Sequence, residues 1–375
     1  MTDGHHADHI GELVDHGDEE VGDLAPPSRK RIIFRIVSRL VIVVAALTIS
    51  TVVLFNIFED LDFDAIRDAI NELSDAEWIS LTFAWLIWIG SQGLQTASLV
   101  KGLPARRGVL AFLGPSAVSS MIPGPSDLPV RFSMYQSWDV TRDEAATAVA
   151  ASGIFSITSR LALPALAGLM IAFGDLEISG FLSVIVITTV TLAVVIAVTG
   201  FILGSAKRTR SAGEKLQRPY NGFRRLFRKE PDERDLGDTL STYRAETVDY
   251  LADKWLVTTV TTFLTYIAKG CLLVLCLRFV GIPEDALGWA AIAAVFALVQ
   301  GITMLPITPG SAGIAEIALV GMLAPIAGPD YVNEVAAGVL LYRLATWLLI
   351  IPTGLGALGL WRFNLNRRKA DSAAT

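Results

Sequence analysis

Charge, cysteine and histidine are all scarce in this chain of 375 residues. Charged residues make up 18% of it, against about 25% in soluble domains, which excludes an ordinary water-soluble globule. Cysteine occurs only as Cys271 and Cys276, inside one apolar run. That excludes a disulfide framework and leaves two small apolar side chains on a helix. Histidine is confined to His5, His6, His9 and His16. The apolar part therefore offers no histidine metal site and no Ser-His-Asp triad, and it has no glycine loop for nucleotide phosphates. These gaps argue against hydrolase and ATPase chemistry. No catalytic residue, cofactor, metal or nucleic-acid partner is expected.

Hydrophobic residues are abundant, at 52%, and they lie in long runs. A bilayer span takes about 20 mostly apolar residues, and several windows qualify. The first 24 residues carry eight acids and no Lys or Arg. They lack core-forming residues, so residues 1–34 are expected as a disordered acidic head. The first apolar run begins only near Ile36, which is not the pattern of a signal peptide. Long runs follow at 36–58, 78–100, 145–173, 178–204, 255–280 and 335–360, with half-length apolar pieces inside 108–138 and 289–328.

Basic residues cluster at 29–39, 101–107, 207–229 and 362–369, and acidic ones at 59–77, 174–177, 281–288 and 329–334. The positive-inside bias makes the first set cytoplasmic. That assignment holds only if each half-length pair returns to the side it entered from. The expected fold is an all-α polytopic membrane protein with six full spans and two re-entrant hairpins, both termini cytoplasmic, in a bacterial inner membrane. Eight to ten simple spans is the alternative. The membrane domain is taken as residues 35–365, with a cytoplasmic loop at 205–254 and a basic tail at 366–375. In 59–77, Phe63, Ile66, Ile70 and Leu73 share one face, as in an amphipathic helix lying on the outer membrane surface.

The chain repeats itself. Met121-Ile122-Pro123-Gly124-Pro125 resembles Ile307-Thr308-Pro309-Gly310-Ser311, and an Arg-Leu-Ala triplet follows each, with Arg160 36 residues after Gly124 and Arg343 33 after Gly310. The halves, about 78–173 and 255–360, take opposite orientations in this topology, an architecture recurrent in transporters. An accident of apolar low complexity is the other reading. Broken backbone cannot face lipid, so Pro123, Gly124, Pro309, Gly310 and Gly313 should be buried in protein or line a wet cavity, and they are taken as candidate binding residues. Asp127, Arg131, Arg160, Glu316 and Arg343 stand near the breaks and sum to +1, leaving one cation for a ligand. Arginine binds phosphate oxygens bidentately. If the group is merely structural, Arg160 pairs with Glu316 and Arg343 with Asp127. Lys269 is a weaker cavity candidate, and Gln92, Gln95 and Gln300 read as interhelical hydrogen bonders.

Three stretches resemble the transmembrane domain of the lysylphosphatidylglycerol synthase and flippase-like family. They are the Pro-Gly break followed by Asp127 and Arg131, Pro309-Gly310-Ser311-Ala312-Gly313-Ile314-Ala315-Glu316, and Leu341-Tyr342-Arg343-Leu344. Ser311 and Ala312 depart from the family's glycine-rich run, and Asp127 stands where Glu is usual. No polar region has room for the soluble aminoacyl-transfer domain. The resemblance thus implies lipid translocation rather than aminoacylation. The expected ligand is an anionic phospholipid or glycolipid head, held by Arg131, Arg160 and Arg343, with Asp127 and Glu316 as counter-charges or proton carriers. Loss of Arg343 is expected to stop lipid movement and leave expression intact. The alternative is a membrane scaffold that docks a lipid-modifying enzyme through Lys207–Lys229. An intramembrane transferase would need a nucleophile that is not evident.

Overall fold

The structure is a computed structural model. It describes residues 63–122, 126–173, 185–187, 189–194, 197, 205, 207, 210–211, 214, 236–304 and 308–374. The acidic head, the expected span 36–58, Pro123 and Gly124, and most of the span 178–204 and of the basic block 207–229 lie outside the described residues.

The described residues form helices joined by turns, α-helical apart from short 3-10 turns at Pro309–Ser311 and Pro329–Tyr331 and one π-helical turn. α1 (Phe63–Asn71) carries the apolar face expected from its spacing. It does not lie free on a surface, however. Ile66 and Leu73 are buried, and the helix packs against α9 (Val332–Arg343), with Asp64, Arg67 and Asp68 turned outward. An apolar stripe can be covered by protein as readily as by lipid, and periodicity does not distinguish the two.

α2 (Asp75–Ser98) starts on a capping box. Ser74 and Glu77 exchange hydrogen bonds, the Ser74 N–H donating to Glu77 Oε2 at 2.8 Å and the Glu77 N–H to Ser74 Oγ at 3.4 Å. Two bonds from Ser74 also hold the Glu77 carboxyl below its ordinary range. α3 (Ala105–Met121) runs back along α2. The two backbones approach closely at Gly93 and Gly108, where an added Cβ on Gly108 would collide with the Gly93 carbonyl, the small-residue contact of membrane helices. α4 (Asp127–Gln136) follows the first break, and α5 (Arg142–Phe173) is a long helix with Pro164 inside it.

The second half opens with α6 (Leu236–Phe279), a helix of 44 residues, about 66 Å long at the usual rise. Its first turns belong to the polar loop, and Trp255–Phe279 is its apolar portion. α7 (Trp289–Ile302) and α8 (Ile314–Ala327) have 14 residues each, or about 21 Å, against an apolar bilayer core of about 30 Å. Both are buried on nearly all sides, as their all-round hydrophobicity requires. α9 ends at Arg343, where a π-helical turn, Leu344–Leu348, leads into α10 (Ile350–Ala374).

Arg142–Gly168, Trp255–Phe279 and Pro329–Arg367 are long and apolar enough to cross a membrane. α2 is long enough, but its Ser, Gln and Trp content lowers its mean hydropathy. Helix packing has a crossed pattern. α3 lies along α10, the last helix of the other half, while α7 lies along α5, the last helix of the first half. α2 packs against α6. The largest core joins α6, α7, α8 and α9 through Leu273, Leu277, Val295, Leu298, Leu323 and Val339.

α6 is inverted relative to a soluble helix. Trp255, Val260, Phe263 and Ile267 are exposed, whereas Thr258, Thr262 and Thr265 are buried. Gln95 Nε2 donates to Thr262 Oγ1 at 2.8 Å, and the Ser98 and Thr258 hydroxyls meet at 3.3 Å. Large exposed apolar faces of this kind suit a lipid surround. The fold is that of an all-α polytopic membrane protein.

Candidate functional site

The second break is built residue by residue around Arg343. Its Nε donates to Glu316 Oε1 at 2.6 Å, and its terminal nitrogen to the Gly310 carbonyl at 2.8 Å. The other carboxylate oxygen of Glu316 accepts from the Gly313 N–H at 2.8 Å, at the start of α8, where a helix dipole favours a negative charge. Arg343 and Glu316 are 12% and 7% exposed, so this is a buried pair. Gly310 lies at φ 58°, Ser311 at 57° and Gly313 at 83°. The left-handed backbone explains the glycines. It also marks Ser311 as the residue out of place. An added Cβ on Gly310 would strike the Trp347 indole. That indole donates from Nε1 to the Ser120 carbonyl at 3.4 Å, tying the end of α3 to the second break.

On the first half, Arg131 reaches Asp127 Oδ2 at 3.3 Å, one turn back along α4, and donates to Ser152 Oγ on α5 at 2.7 Å. Arg160, on α5, donates to the Thr303 carbonyl at the end of α7 at 3.2 Å. Ser311 Oγ shares that carbonyl at 3.4 Å. The pairing anticipated from sequence is therefore corrected. Glu316 goes to Arg343 and Asp127 to Arg131, because each carboxylate takes the arginine its own half packs beside it. Arg160 has no carboxylate partner among the described residues. It also binds beside the second break rather than the first, because α5 packs on α7.

All three arginines border one cavity of about 480 Å³, together with Asp127 and Gly310. Glu316 lies behind Arg343. Gly313 shapes the break without lining the cavity. Lys269 also lines it, its Nζ 5.9 Å from the centre of the Trp88 ring. Four basic side chains thus face two carboxylates. Gln92, Gln95, Gln300 and a series of hydroxyls, among them Ser116, Ser119, Ser152, Ser156 and Thr265, complete the wall. Sequence reading assigns the glutamines to interhelical bonds, such as the one Gln95 makes to Thr262, and passes over the serines. Their signal was the spacing 116, 119 and 152, 156, one face of a helix in otherwise apolar sequence. Arg131 Nε, Arg160 Nε, Thr265 Oγ1 and Trp88 Nε1 are buried and lack a hydrogen-bond partner. Buried donors are nearly always satisfied; of these residues Arg131, Arg160 and Thr265 line the chamber. No cluster of three or more metal-ligating side chains occurs among the described residues.

A helical membrane protein with a cationic, hydroxyl-rich chamber between its halves is the class that these features define. The family described as "Lysylphosphatidylglycerol synthase TM region" matches the chain over residues 43–354. The chain belongs to that family, and so to membrane domains related to lipid handling. A comparison with curated proteins finds none that matches.

Proposed function

We propose that the protein moves an anionic phospholipid or glycolipid head between the leaflets of a bacterial inner membrane, as a flippase or scramblase, without converting it chemically. The observation that carries this reading is Arg160. It sits at the shared wall of both halves with no carboxylate partner among the described residues and a buried Nε left over. A phosphate oxygen is the natural acceptor for such a guanidinium. The surplus of basic over acidic side chains favours an anionic head, and the amide and hydroxyl wall suits a hydroxylated one.

The inverted-repeat reading is supported by the crossed packing, since exchanging the halves maps the α3–α10 contact onto α7–α5 and returns α2–α6 to itself. The re-entrant reading is supported by lengths. α7 with α8, and α3 with α4, pack as pairs around a break, and neither α7 nor α8 reaches across an apolar core. In this topology the basic segments and both termini face the cytoplasm.

Arg343 borders the chamber and also ties Glu316 to the Gly310 carbonyl. It braces the second break, so its loss should damage the fold as well as any transport. The test of function is made with the wild-type chain in liposomes, using head-labelled phosphatidylglycerol and phosphatidylcholine. Faster crossing of the anionic lipid than in protein-free liposomes is the expected result. Crossing no faster than the protein-free control would sink the proposal.

A further inference from the structure

A second pocket lies apart from the chamber, between the start of α3 and the end of α10. It has a volume of about 410 Å³, within the size range of small-molecule sites. Arg106, Arg107 and Arg367 line it, and none of the described lining residues is acidic. Its walls are the Trp138 and Trp361 indoles with Leu110 and Leu365.

The parts are held in place before any ligand arrives. Trp361 Nε1 donates to Ser137 Oγ at 2.7 Å, which locks α10 to the end of α4. The Arg107 guanidinium lies 5.6 Å from the centre of the Trp138 ring. Three separate elements thus converge on one basic hollow with an aromatic rim. Beside it on α10, Leu360 and Phe363 are 59% and 60% exposed. The lining residue Arg367 lies 6.0 Å from the centre of the Phe363 ring, so the basic hollow borders apolar surface of the kind that meets acyl chains. Tryptophan and arginine together at that boundary are the usual furniture of a membrane interface, and a basic pocket between helices there takes anionic head groups.

We propose that this pocket binds the phosphodiester of an anionic membrane phospholipid, with the acyl chains running out over Leu360 and Phe363. The chemistry recognised is a phosphate oxygen between two or three guanidinium groups. The apolar flank favours a lipid over free phosphate as its source. The site is independent of the chamber, so it stands whether or not the protein moves lipid.

The full chain in nanodiscs of phosphatidylcholine with a minor fraction of phosphatidylglycerol provides the test, read as retained lipid by native mass spectrometry. Arg106→Gln with Arg367→Gln should lower phosphatidylglycerol retention by about 10–30-fold at one site, given the contribution of a basic residue near a membrane surface. Phosphatidylcholine retention should not change. Both residues are exposed, so the double variant should fold, and an unchanged Tm confirms it. Arg160→Gln should leave this retained lipid in place. Equal retention by wild type and the double variant would overturn the proposal. Displacement of the lipid by inorganic phosphate at millimolar concentration would overturn the lipid assignment in favour of free phosphate.

Discussion

The two arginine-bearing long helices answer the same sequence pattern in different ways. Arg343 follows the second break and spends its donors on Glu316 and the Gly310 carbonyl, within its own half. Arg160 holds the corresponding place after the first break, yet it reaches across to Thr303 in the other half and keeps a buried Nε unpaired. One guanidinium closes a structural knot, and the other stands on the chamber wall with no carboxylate partner among the described residues. A buried ion pair is costly to cut, because the survivor is stranded. A guanidinium with an open position can be removed at lower structural cost. The difference separates residues that build the chamber from those able to serve a ligand.

Substitutions at the second break should break that comparison most visibly. Arg343→Ala strands Glu316 in the protein interior, and a loss of about 3–5 kcal/mol is expected. Thermal unfolding in detergent should show it as a fall in Tm with poor yield, and a normal Tm would mean that the knot is not structural. Gly310→Ala comes next. It forces a side chain into the left-handed region against Trp347, at a cost of about 1–3 kcal/mol, again read as Tm.

Asp127→Asn should matter less. The Arg131–Asp127 contact is longer, at 3.3 Å, and Asp127 is 24% exposed against 7% for Glu316, so its stability share should be smaller, about 1 kcal/mol. Its value lies in sharpening the contrast, since equal damage from Asp127→Asn and Arg343→Ala would make the two breaks alike. The smallest effect has the opposite sign. Ser311→Gly relieves a residue held at φ 57° and should raise stability by about 0.5–1 kcal/mol. A lower Tm would show that the Ser311 hydroxyl bond to Thr303 outweighs the strain.

Much of this was legible in the sequence. Apolar runs with few charges fixed the helical class, and the Pro309–Gly313 stretch marked a break because no continuous helix tolerates it. The charges near the breaks could be picked out because intramembrane charge is expensive and needs a reason. Partner choice could not be read. Whether Glu316 meets Arg160 or Arg343 depends on which helices pack together, and periodicity along one helix carries no information about its neighbour. The same limit hid α1, whose apolar face meets α9 rather than lipid. It also hid the serines of α3 and α5, which resemble ordinary small residues of membrane helices until two such faces are opposed. Lys269 was visible as a charge in mid-span, but its side of α6 was fixed only by the threonine stripe facing inward.

The central claim is that the open guanidinium of Arg160 receives the anionic head in the chamber. The most direct measurement is the initial rate at which proteoliposomes pass head-labelled phosphatidylglycerol, compared between wild type and Arg160→Gln at matched protein amount and Tm. The account predicts a fall of about tenfold or more, the loss of one charge-assisted hydrogen bond at the site. Equal rates for two equally folded proteins would contradict it.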